Sequence, residues 1–480
     1  MLACADIPDT SVQRLLAVLP GLAGVSADSR QIRPGMLFVA LAGARADGRG
    51  FIADAVTRGA VAVLAAPGTT WPVGVPERRL LIDPEPRRTL ALLAAHLARA
   101  QPERIVAITG TNGKTSIAEF TRQMCAAAGR QAASLGTLGL IAPGHSGGSG
   151  LTTPDPVTLA ATVATLAKAG VTDLAIEASS HGLDQFRLDG LRFSAGAISN
   201  ITRDHLDYHG TMEAYRDAKL RLFAELLPPR ASAFASGSLD PETYSALASI
   251  AVARRLVLQR VGSDGDDIRL LGATALPDGQ ALALVIDGQK REIMLPLAGL
   301  FQADNALLAA GLARAVGVTD AIDLLPRLVG VRGRLELAAK LPNNAAVYVD
   351  FAHTPDALVR LIAALRPHTS GKLSVIIGAG GDRDPGKRPL MGAAAAAADR
   401  VIVTDDNPRS ENPAAIRAAV RAGCPDALEI GDRAAAIAEG LAGLGPGDVL
   451  VVAGKGHEQG QQIGNDIVPF DDVATVRRLV

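Results

Sequence analysis

One short stretch, ITGTNGKTS at residues 108–116, constrains the fold of this chain more than any other part of its sequence. Apolar residues suited to a buried strand end at Thr109 and run into a glycine-rich turn, and a helical pattern begins at Lys114. Gly110 and Gly113 let several backbone N–H groups turn inward, where the positive end of the helix dipole adds to them. This junction predicts an α/β sheet with a phosphate-binding loop.

Length and composition indicate a multidomain enzyme. A chain of 480 residues is too long for one hydrophobic core, so we expect two to four domains. With a formal net charge of -1, the chain offers no charge excess that would attract nucleic acid or an anionic membrane. No apolar stretch reaches the ~18 residues of a membrane span.

The ends and the cysteines favour a cytoplasmic protein. The first ten residues, MLACADIPDT, have neither a basic region nor an apolar region, so we expect no secretory signal. Cys4, Cys125 and Cys424 are far apart in sequence, which argues against a disulfide framework or a zinc knuckle.

Apolar runs alternate with helical patterns along the chain and predict three α/β domains. The predicted bounds are 1–86 for an N-terminal α/β domain, 87–333 for a central P-loop ATPase-like domain, and 334–480 for a C-terminal Rossmann-like domain. Within the central domain we expect strands at 104–109, 173–177 and 195–199, and shorter strands near 267–297.

The loop at residues 110–116 predicts a nucleotide site. Lys114 would neutralise the β- and γ-phosphates of ATP, and the hydroxyl of Thr115 would bind Mg²⁺. The spacing is shorter than the usual G-x-x-x-x-G-K-[ST] pattern, and a glycine turn that merely links a strand to a helix is the alternative. The expected ATP-binding residues here are Gly110, Thr111, Asn112, Gly113, Lys114, Thr115 and Ser116.

Three further residues are candidates only in combination. Glu177 ends the apolar run TDLAIE, where a metal ligand would face a bound nucleotide. His205 lies in a predicted loop and Lys219 in a predicted helix. Each alone would be read as an ordinary surface or core residue.

Nine segments, in order along the whole chain, resemble the motifs of the Mur ligase family. They are ITGTNGKTS (108–116), TTPDP (152–156), EASSHGLDQFRLDG (177–190), ITRDHLDYHGT (201–211) with YRDAKLRLF (215–223), GRLE (333–336), VDFAHTPDAL (349–358), GAGGDRDPGKRPLMG (378–392), TDDNPRSENP (404–413) and AGKGHE (453–458). The segment DSRQIRPGMLFVALAGARADG at 28–48 is similar to the UDP-binding N-terminal domain of that family.

The resemblance implies an ATP-dependent amide ligase of peptidoglycan precursor synthesis. The motifs look most like those of the members that add the third peptide residue to UDP-N-acetylmuramoyl-L-alanyl-D-glutamate. The implied cofactors are ATP and Mg²⁺, and we expect a monomer. The implied catalytic residues are Lys114, Glu177, His205 and Lys219; the implied Mg²⁺ ligands are Thr115, Glu177, His205 and Lys219, the last as a carbamate.

The same resemblance implies two sets of binding residues. For the UDP-sugar peptide they are Ser29, Ala44, Arg45, Ala46, Thr152, Thr153, Ser179, Gln185 and Arg187; for ATP, beyond the loop, they are Asn305, Arg334 and His353. Gln302 departs from the family pattern, which often has Asn at this position.

The tetrapeptide DNPR at 406–409 implies meso-2,6-diaminopimelate as the added amino acid. This substrate has one carboxylate more than L-lysine, and a fixed guanidinium such as that of Arg409 suits it. Asn412 and Pro413 are predicted to cap and start the next helix. The residues implied for this substrate are Arg383, Asp406, Asn407, Pro408, Arg409, Gly454 and Glu458.

Three alternatives remain open. The chain could be the L-lysine-adding ligase of the same family, or a ligase similar to folylpolyglutamate synthase, which lacks a UDP-sugar domain like residues 1–86. It could also be a non-catalytic nucleotide-binding homologue, although Lys114, Glu177, His205 and Lys219 are all present.

Overall fold

Strands and helices alternate along most of the chain, as the sequence predicts. The structure, a computed structural model, describes residues 10–43, 46–147, 151–276 and 278–480. It divides into two units: the first comprises the chain up to Ala235 with Leu239–Leu258 and Ala315–Gly317, and the second comprises Ser236–Ser238, Gln259–Arg314 and Val318–Val480. The predicted domain bounds at 86 and 333 remain a prediction.

The first unit begins with a four-stranded parallel sheet in the order β1-β2-β3-β4. Alternate residues of β2 point to opposite faces, so Leu37 and Val39 enter one hydrophobic cluster while Phe38 enters another. The elements are α1 (Thr10–Val18), β1 (Gly24–Ser26), β2 (Met36–Ala40), α2 (Ile52–Thr57), β3 (Ala62–Ala65), β4 (Arg79–Ile82) and α3 (Pro86–Ala98).

The second sheet of this unit carries the glycine-rich loop. Its strands β11-β10-β5-β9-β6 are parallel, and β7 and β8 extend it in antiparallel fashion. Its elements are β5 (Arg104–Thr109), α4 (Lys114–Ala127), β6 (Ala132–Gly136), β7 (Gly139–Ala142), β8 (His145–Gly147), α5 (Pro156–Lys168), β9 (Asp173–Glu177), α6 (Ser180–Asp184), β10 (Ala195–Ile198), α7 (Leu206–His209), α8 (Met212–Arg221), β11 (Ser232–Ser236) and α9 (Pro241–Arg254).

The second unit contains an antiparallel meander where the sequence predicts strands, but its strands are longer than predicted. Residues 267–297 form not short strands but three strands of 9, 8 and 7 residues. Asp287 and Gly288 both have positive φ, at 49° and 82°, which suits a two-residue hairpin between long strands. The elements are β12 (Val257–Gly262), β13 (Ile268–Leu276), β14 (Gly279–Ile286), β15 (Gln289–Leu295) and α10 (Leu300–Ala315).

The C-terminal sheet has the order β16-β17-β21-β18-β19-β20, with β16 antiparallel and the others parallel. Asn412 caps α13 through the N–H of Ala414 and Pro413 is its first residue, as predicted. The elements are β16 (Glu336–Lys340), β17 (Ala346–Asp350), α11 (Pro355–Leu365), β18 (Leu373–Ile377), α12 (Lys387–Ala395), β19 (Arg400–Val403), α13 (Pro413–Arg421), β20 (Leu428–Glu429), α14 (Arg433–Ala442), β21 (Val449–Ala453), β22 (Gly460–Ile463), β23 (Asp466–Pro469) and α15 (Asp472–Leu479).

These three sheets confirm the predicted α/β fold class, and the parallel strands of each place loops at their carboxyl ends, where ligands of such sheets bind. Among the helices of the described residues, none has the length and apolar character needed to cross a membrane.

Candidate functional site

The glycine-rich loop turns tightly between β5 and α4. Gly110 has a φ of 134° and Gly113 a φ of 88°, conformations that residues with a side chain rarely adopt. A Cβ atom on Gly110 would lie 2.0 Å from Oγ of Ser199. Glycine is therefore required at position 110 for two reasons, its backbone angle and its close packing.

Hydrogen bonds fix this loop to the end of β10. The N–H of Thr111 donates to the carbonyl of Asn200 at 2.7 Å, and the N–H of Asn112 donates to Oδ1 of Asn200 at 3.0 Å. The hydroxyl of Ser199 donates to the carbonyl of Asn112 at 2.5 Å. The loop is thus held in shape by the protein itself, as a preorganised phosphate site requires.

Two lysines converge on one carbonyl oxygen of the loop. Nζ of Lys114 lies 2.9 Å from the Gly110 oxygen, and Nζ of Lys219 lies 2.7 Å from the same atom. Lys219 is only 1% exposed. Burial, reinforced by the charge of Lys114, lowers the pKa of Lys219 to about 6, so its amine is largely neutral at pH 7.

Tyr215 lines the pocket of this buried amine. Its ring centroid lies 4.5 Å from Nζ of Lys219, and its hydroxyl lies 3.0 Å from Oγ1 of Thr111. Burial raises the pKa of Tyr215 to about 12, so the phenol stays uncharged at neutral pH. Nζ of Lys219 therefore contacts an aromatic ring and a loop carbonyl, and the carboxylate of Asp204 acts on it only through its charge.

Glu177 is the last residue of β9, and its carboxylate is buried. Thr137, which was not selected from the sequence, holds this carboxylate in place. Thr137 donates its backbone N–H to Oε1 at 2.8 Å and its hydroxyl to Oε2 at 3.2 Å. A Cβ atom on Gly136 would lie 2.0 Å from Oε1 of Glu177. Thr137 follows β6, the neighbour of β9, and a polar residue just after that strand is the signal that could have identified it.

His205 lies at the start of α7, half-exposed and with a φ of 51°. Its ring lies 4.9 Å from that of His181 and 6.4 Å from that of Tyr215. Its backbone is therefore in the left-handed conformation, and its ring belongs to an aromatic group that also includes the ring of Tyr208, packed on His181.

The side chains expected to bind Mg²⁺ suit that ion only in part while Lys219 is an unmodified amine. The Thr115 hydroxyl and the Glu177 carboxylate are hard oxygen donors of the kind Mg²⁺ prefers. Lys219 as an amine is not such a donor, whereas a carbamate on its neutral nitrogen would be. In the described ranges, no three His, Cys, Asp or Glu side chains lie close enough together to hold a metal ion. The expected Mg²⁺ site therefore depends on the Thr115 hydroxyl and on a carbamate at Lys219.

A chain of hydrogen bonds links Glu177 to the residues expected to bind the peptide. Oγ1 of Thr153 donates to the carbonyl of Glu177 at 2.8 Å and accepts from Ser179. Arg187 donates to the carbonyl of Thr153 at 2.7 Å and, through Nη2, to Oε1 of Gln185 at 2.7 Å. These four side chains therefore form one network.

Gln185 and Arg187 also line a cavity of about 360 Å³ in the first unit. Five polar residues that were not selected from the sequence share its wall: Ser26, Asp28, Gln31, Arg87 and Asp155. Thr152 bonds to Thr137 at 3.2 Å. Ser29 is buried in the 3₁₀ turn Ser29–Gln31 and does not itself line the cavity, whereas Gln31 of the same turn does. Ala46 is exposed, and the expected contacts Ala44 and Arg45 lie outside the described residues.

In the second unit, the DNPR loop follows β19 and meets the loop after β21. Nδ2 of Asn407 donates to Oε2 of Glu458 at 2.9 Å, and Lys455 donates to Oδ1 of Asn407 at 3.1 Å. A Cβ atom on Gly454, whose φ is 117°, would lie 2.7 Å from a carboxylate oxygen of Asp406. Burial raises the pKa of Asp406.

Arg409 is held by its backbone as well as its side chain. Its φ is 52°; its N–H donates to the carbonyl of Gln462 at 3.1 Å and its carbonyl accepts from Gly464 at 2.8 Å. Its Nη1 donates to the carbonyl of Gly381 at 2.6 Å. Arg383 is exposed on the neighbouring loop, so these two expected cations differ in how firmly they are placed.

Two of the three residues of the second unit that are expected to bind ATP, Arg334 and His353, lie beside Phe351. The guanidinium of Arg334 lies 5.0 Å from its ring centroid, and the ring of His353 lies 4.6 Å from it. Asn305 donates its side-chain amide to Oε1 of Gln302, the residue that departs from the family pattern, at 2.9 Å. Gln302 is buried at 1% exposure, so it contributes to the packing of α10.

Comparison with known families gives three matches. The matching models are the Mur ligase family, catalytic domain, over residues 22–96; the Mur ligase middle domain, over residues 108–313; and the Mur ligase, glutamate ligase domain, over residues 333–456.

Individual relatives agree with these matches. The chain is 52% identical, over 96% of its length and 96% of the relative, to a UDP-N-acetylmuramoyl-L-alanyl-D-glutamate--2,6-diaminopimelate ligase from Caulobacter vibrioides. A solved structure with the same name has a TM-score of 0.74 and 33% identity, covering 95% of this chain and 94% of that one. The fold is also that of the MurF ligase from Thermotoga maritima in complex with ADP, with a TM-score of 0.61, 20% identity and coverage of 95% and 97%. These findings confirm the resemblance: the chain belongs to the Mur ligase family.

Proposed function

We propose that this protein is the ATP-dependent ligase that joins meso-2,6-diaminopimelate to the γ-carboxylate of D-glutamate in UDP-N-acetylmuramoyl-L-alanyl-D-glutamate. The observation that carries the proposal is the 52% identity, over 96% of both chains, to a relative named for this reaction. The product would be a precursor of peptidoglycan.

The chemistry explains why a phosphate-binding loop is needed. A carboxylate resists attack by an amine, because the attack would have to expel an oxide. Transfer of the γ-phosphoryl group of ATP to the D-glutamyl carboxylate gives an acyl phosphate and ADP. The amine of diaminopimelate then attacks the carbonyl carbon, and phosphate leaves as the amide forms. The enzyme contributes mainly positioning and charge stabilisation.

Lys114 is proposed to neutralise the transferred phosphoryl group. In the structure its ammonium donates to the carbonyls of Gly110 and Thr111, both at 2.9 Å, so it lies within the loop that would hold the phosphates. Thr115, Glu177, His205 and carbamylated Lys219 are proposed to hold Mg²⁺. When bound, Mg²⁺ supplies positive charge against the phosphates.

The environment of Lys219 supports carbamylation. The neutral amine attacks CO₂, forms an N–C bond and loses a proton, which leaves an anionic carbamate. Only an unprotonated amine has the lone pair for this step, and a pKa of about 6 provides one at neutral pH.

The first unit is proposed to bind the UDP-sugar peptide in its cavity of about 360 Å³. Arg187 lines that cavity, and its guanidinium suits phosphate or carboxylate oxygens. We add Arg87, which lines the same cavity and was not selected from the sequence, as a second cation for this substrate.

Arg409 is proposed to select diaminopimelate over L-lysine. Its guanidinium would pair with the distal carboxylate, which lysine lacks, while Glu458 would receive the distal ammonium. The backbone hydrogen bonds to Gln462 and Gly464 support this role, because a fixed cation discriminates better than a mobile one. The L-lysine ligase is the remaining alternative within the family.

We also propose that the enzyme works as a cytoplasmic monomer. Cys125 and Cys424 are both free and buried, which suits a reducing compartment. The near-zero net charge of -1 supports the absence of a nucleic-acid partner.

The test is phosphate release by the purified protein with ATP, Mg²⁺ and UDP-N-acetylmuramoyl-L-alanyl-D-glutamate, with either diaminopimelate or L-lysine added. The proposal predicts release with diaminopimelate. Release only with L-lysine would refute the role of Arg409, and release with neither amino acid would refute the ligase.

A further inference from the structure

We propose that Lys455 is a positioning residue of the amino-acid site, which holds Asn407 and Glu458 in the one arrangement that leaves a Glu458 oxygen free for the distal ammonium of the incoming amino acid. This inference rests on the proposed function, because Asn407 and Glu458 are the side chains expected to bind that end of diaminopimelate. Lys455 itself has no role in the function as proposed above.

The ammonium of Lys455 is surrounded by acceptors. Its side chain is 0% exposed, and Nζ lies 3.1 Å from Oδ1 of Asn407, 3.1 Å from Oε2 of Glu458 and 3.8 Å from Oδ1 of Asp406. The ammonium donates hydrogen bonds to Asn407 and Glu458, and the carboxylate of Asp406 lies within ion-pair distance. The side chain is thus committed to these neighbours.

This arrangement determines the orientation of the Asn407 amide. Oδ1 of Asn407 accepts from Lys455 and also from the backbone N–H of Gln462, at 2.9 Å. If the amide were reversed, its NH₂ group would face an ammonium and an N–H group with no acceptor between them. The NH₂ group is therefore directed at Oε2 of Glu458, to which it donates at 2.9 Å.

Lys455 also stabilises the ionised form of Glu458 and occupies one of its two carboxylate oxygens, Oε2. The hydrogen bonds from Asn407 and Lys455 both end on Oε2. Burial alone would raise the pKa of Glu458, but the hydrogen bond from Asn407 and the charge of Lys455 outweigh it and lower the pKa. Glu458 is therefore ionised at neutral pH, and Oε1 is the oxygen left to meet a ligand.

Solvent exposure distinguishes Glu458, which would bind the amino acid, from Lys455, which would position Glu458. The side chain of Glu458 is 38% exposed, whereas that of Lys455 is 0% exposed. A ligand can thus reach the Glu458 carboxylate but not the ammonium behind it. Lys455 acts on the amino acid only through Asn407 and Glu458.

The first test is the Lys455→Met variant, which removes the ammonium and keeps a side chain of similar length. We expect the KM for diaminopimelate to rise about 10- to 100-fold, as the loss of hydrogen bonds to charged groups predicts. The KM values for ATP and for the UDP-sugar peptide should stay within about twofold, because neither substrate depends on this carboxylate.

A matched control loses buried hydrogen bonds elsewhere in the same unit. His368 is 2% exposed, accepts from the N–H of Gly299 at 2.8 Å and bonds the carbonyl of Leu276 at 2.7 Å. It precedes β18 and so lies at the amino ends of the parallel strands, whereas Lys455 follows the carboxyl end of β21. His368→Leu should lower the Tm and leave the KM for diaminopimelate unchanged. A purely structural role of Lys455 would make the two variants behave alike.

A double-mutant cycle gives the decisive comparison. If Lys455 acts through Glu458, the double variant Lys455→Met/Glu458→Gln should have a KM for diaminopimelate within about twofold of that of Glu458→Gln alone. Additive effects, an unchanged KM in Lys455→Met, or a joint rise of all three KM values would overturn the proposal. Should Lys455→Met not fold, Lys455→Gln takes its place, and failure of both to fold would assign Lys455 to stability and overturn the proposal as well.

Failure of the role proposed for Lys455 can be distinguished from failure of the proposed function. If the unchanged protein uses L-lysine instead of diaminopimelate, the proposed substrate is wrong, but L-lysine also carries a distal ammonium. The same variants are then measured with L-lysine as the probe, and the expected rise in KM is the same.

Discussion

Each unit of this protein contains a deeply buried lysine beside its candidate site, and the two differ in what surrounds them. Lys219 is 1% exposed, and its nitrogen contacts the Gly110 carbonyl and the Tyr215 ring. Lys455 is 0% exposed, and its nitrogen contacts the side chains of Asn407 and Glu458. Burial and the charge of Lys114 outweigh the charge of Asp204 at the first amine, which becomes neutral and can react. The second is in contact with the carboxylate of Glu458 and can serve as a fixed cation. Both lysines are deeply buried, so their different partners account for the difference in their chemistry.

The largest expected effect comes from removing the reactive lysine. Lys219→Met should lower kcat by about 10²- to 10³-fold, the range for losing a group that stabilises transition-state charge. Turnover in the phosphate-release assay measures it. Lys455→Met is the matched variant, and it should mainly raise the KM for the amino acid. Similar kcat losses in both variants would break the comparison.

Arg409→Ala should reduce kcat/KM for diaminopimelate by about 10²-fold, since removing one partner of a desolvated charge pair is costly. Arg383→Ala, which removes the exposed cation of the neighbouring loop, should cost less. Steady-state kinetics with both variants checks the order. A larger loss for Arg383→Ala would contradict the assignment of Arg409 as the discriminating residue.

Thr137→Val should raise the Mg²⁺ concentration needed for half-maximal activity by about 10-fold, the lower end of the effect of removing a group that orients a metal ligand. The valine keeps the backbone N–H bond to Glu177 and loses the two hydroxyl bonds, to Glu177 and to Thr152, both of 3.2 Å. Thr137→Ser restores a hydroxyl and should behave like the unchanged protein. An equal Mg²⁺ requirement in all three proteins would exclude this role.

The smallest expected effect is a pH dependence of carbamate formation at Lys219. Because its pKa is lowered to about 6, the neutral amine predominates above pH 6 and falls about tenfold per pH unit well below it. Trapping the carbamate by alkylation and locating it by mass spectrometry should therefore give a yield that drops as the pH falls below 6. A yield independent of pH between 5 and 8, or modification of Lys455 in its place, would contradict the comparison.

The sequence predicted the local parts of this architecture well. The strand, the glycine turn and the helix at residues 104–127 are contiguous, so their pattern suffices to identify them. The cap at Asn412 and Pro413 is equally local. In contrast, β1 has three residues and β4 has four, none of them buried, so both fall short of the apolar run that marks a buried strand.

The residues that support the site were missed because their contacts are distant in sequence. Thr137 contacts Glu177 from 40 positions away, and Lys455 contacts Asn407 from 48 positions away. Thr137 follows β6 and Glu177 ends the neighbouring parallel strand β9, while Asn407 and Lys455 follow β19 and β21, which β18 separates. The order of the strands in each sheet brings such pairs together, and spacing along the chain does not encode it. Lys455 even lies within the motif AGKGHE, yet burial distinguishes it from Glu458 only once the fold is known.

The most direct test of the central claim follows the oxygen atoms. With ¹⁸O in both oxygens of the D-glutamyl γ-carboxylate, an acyl phosphate route transfers one ¹⁸O to the released phosphate and leaves the other in the new amide. We predict one ¹⁸O per phosphate when ATP, Mg²⁺ and diaminopimelate are present, measured by mass spectrometry. Phosphate without ¹⁸O, released at the same rate, would show that water rather than the substrate carboxylate attacks ATP and would contradict the account.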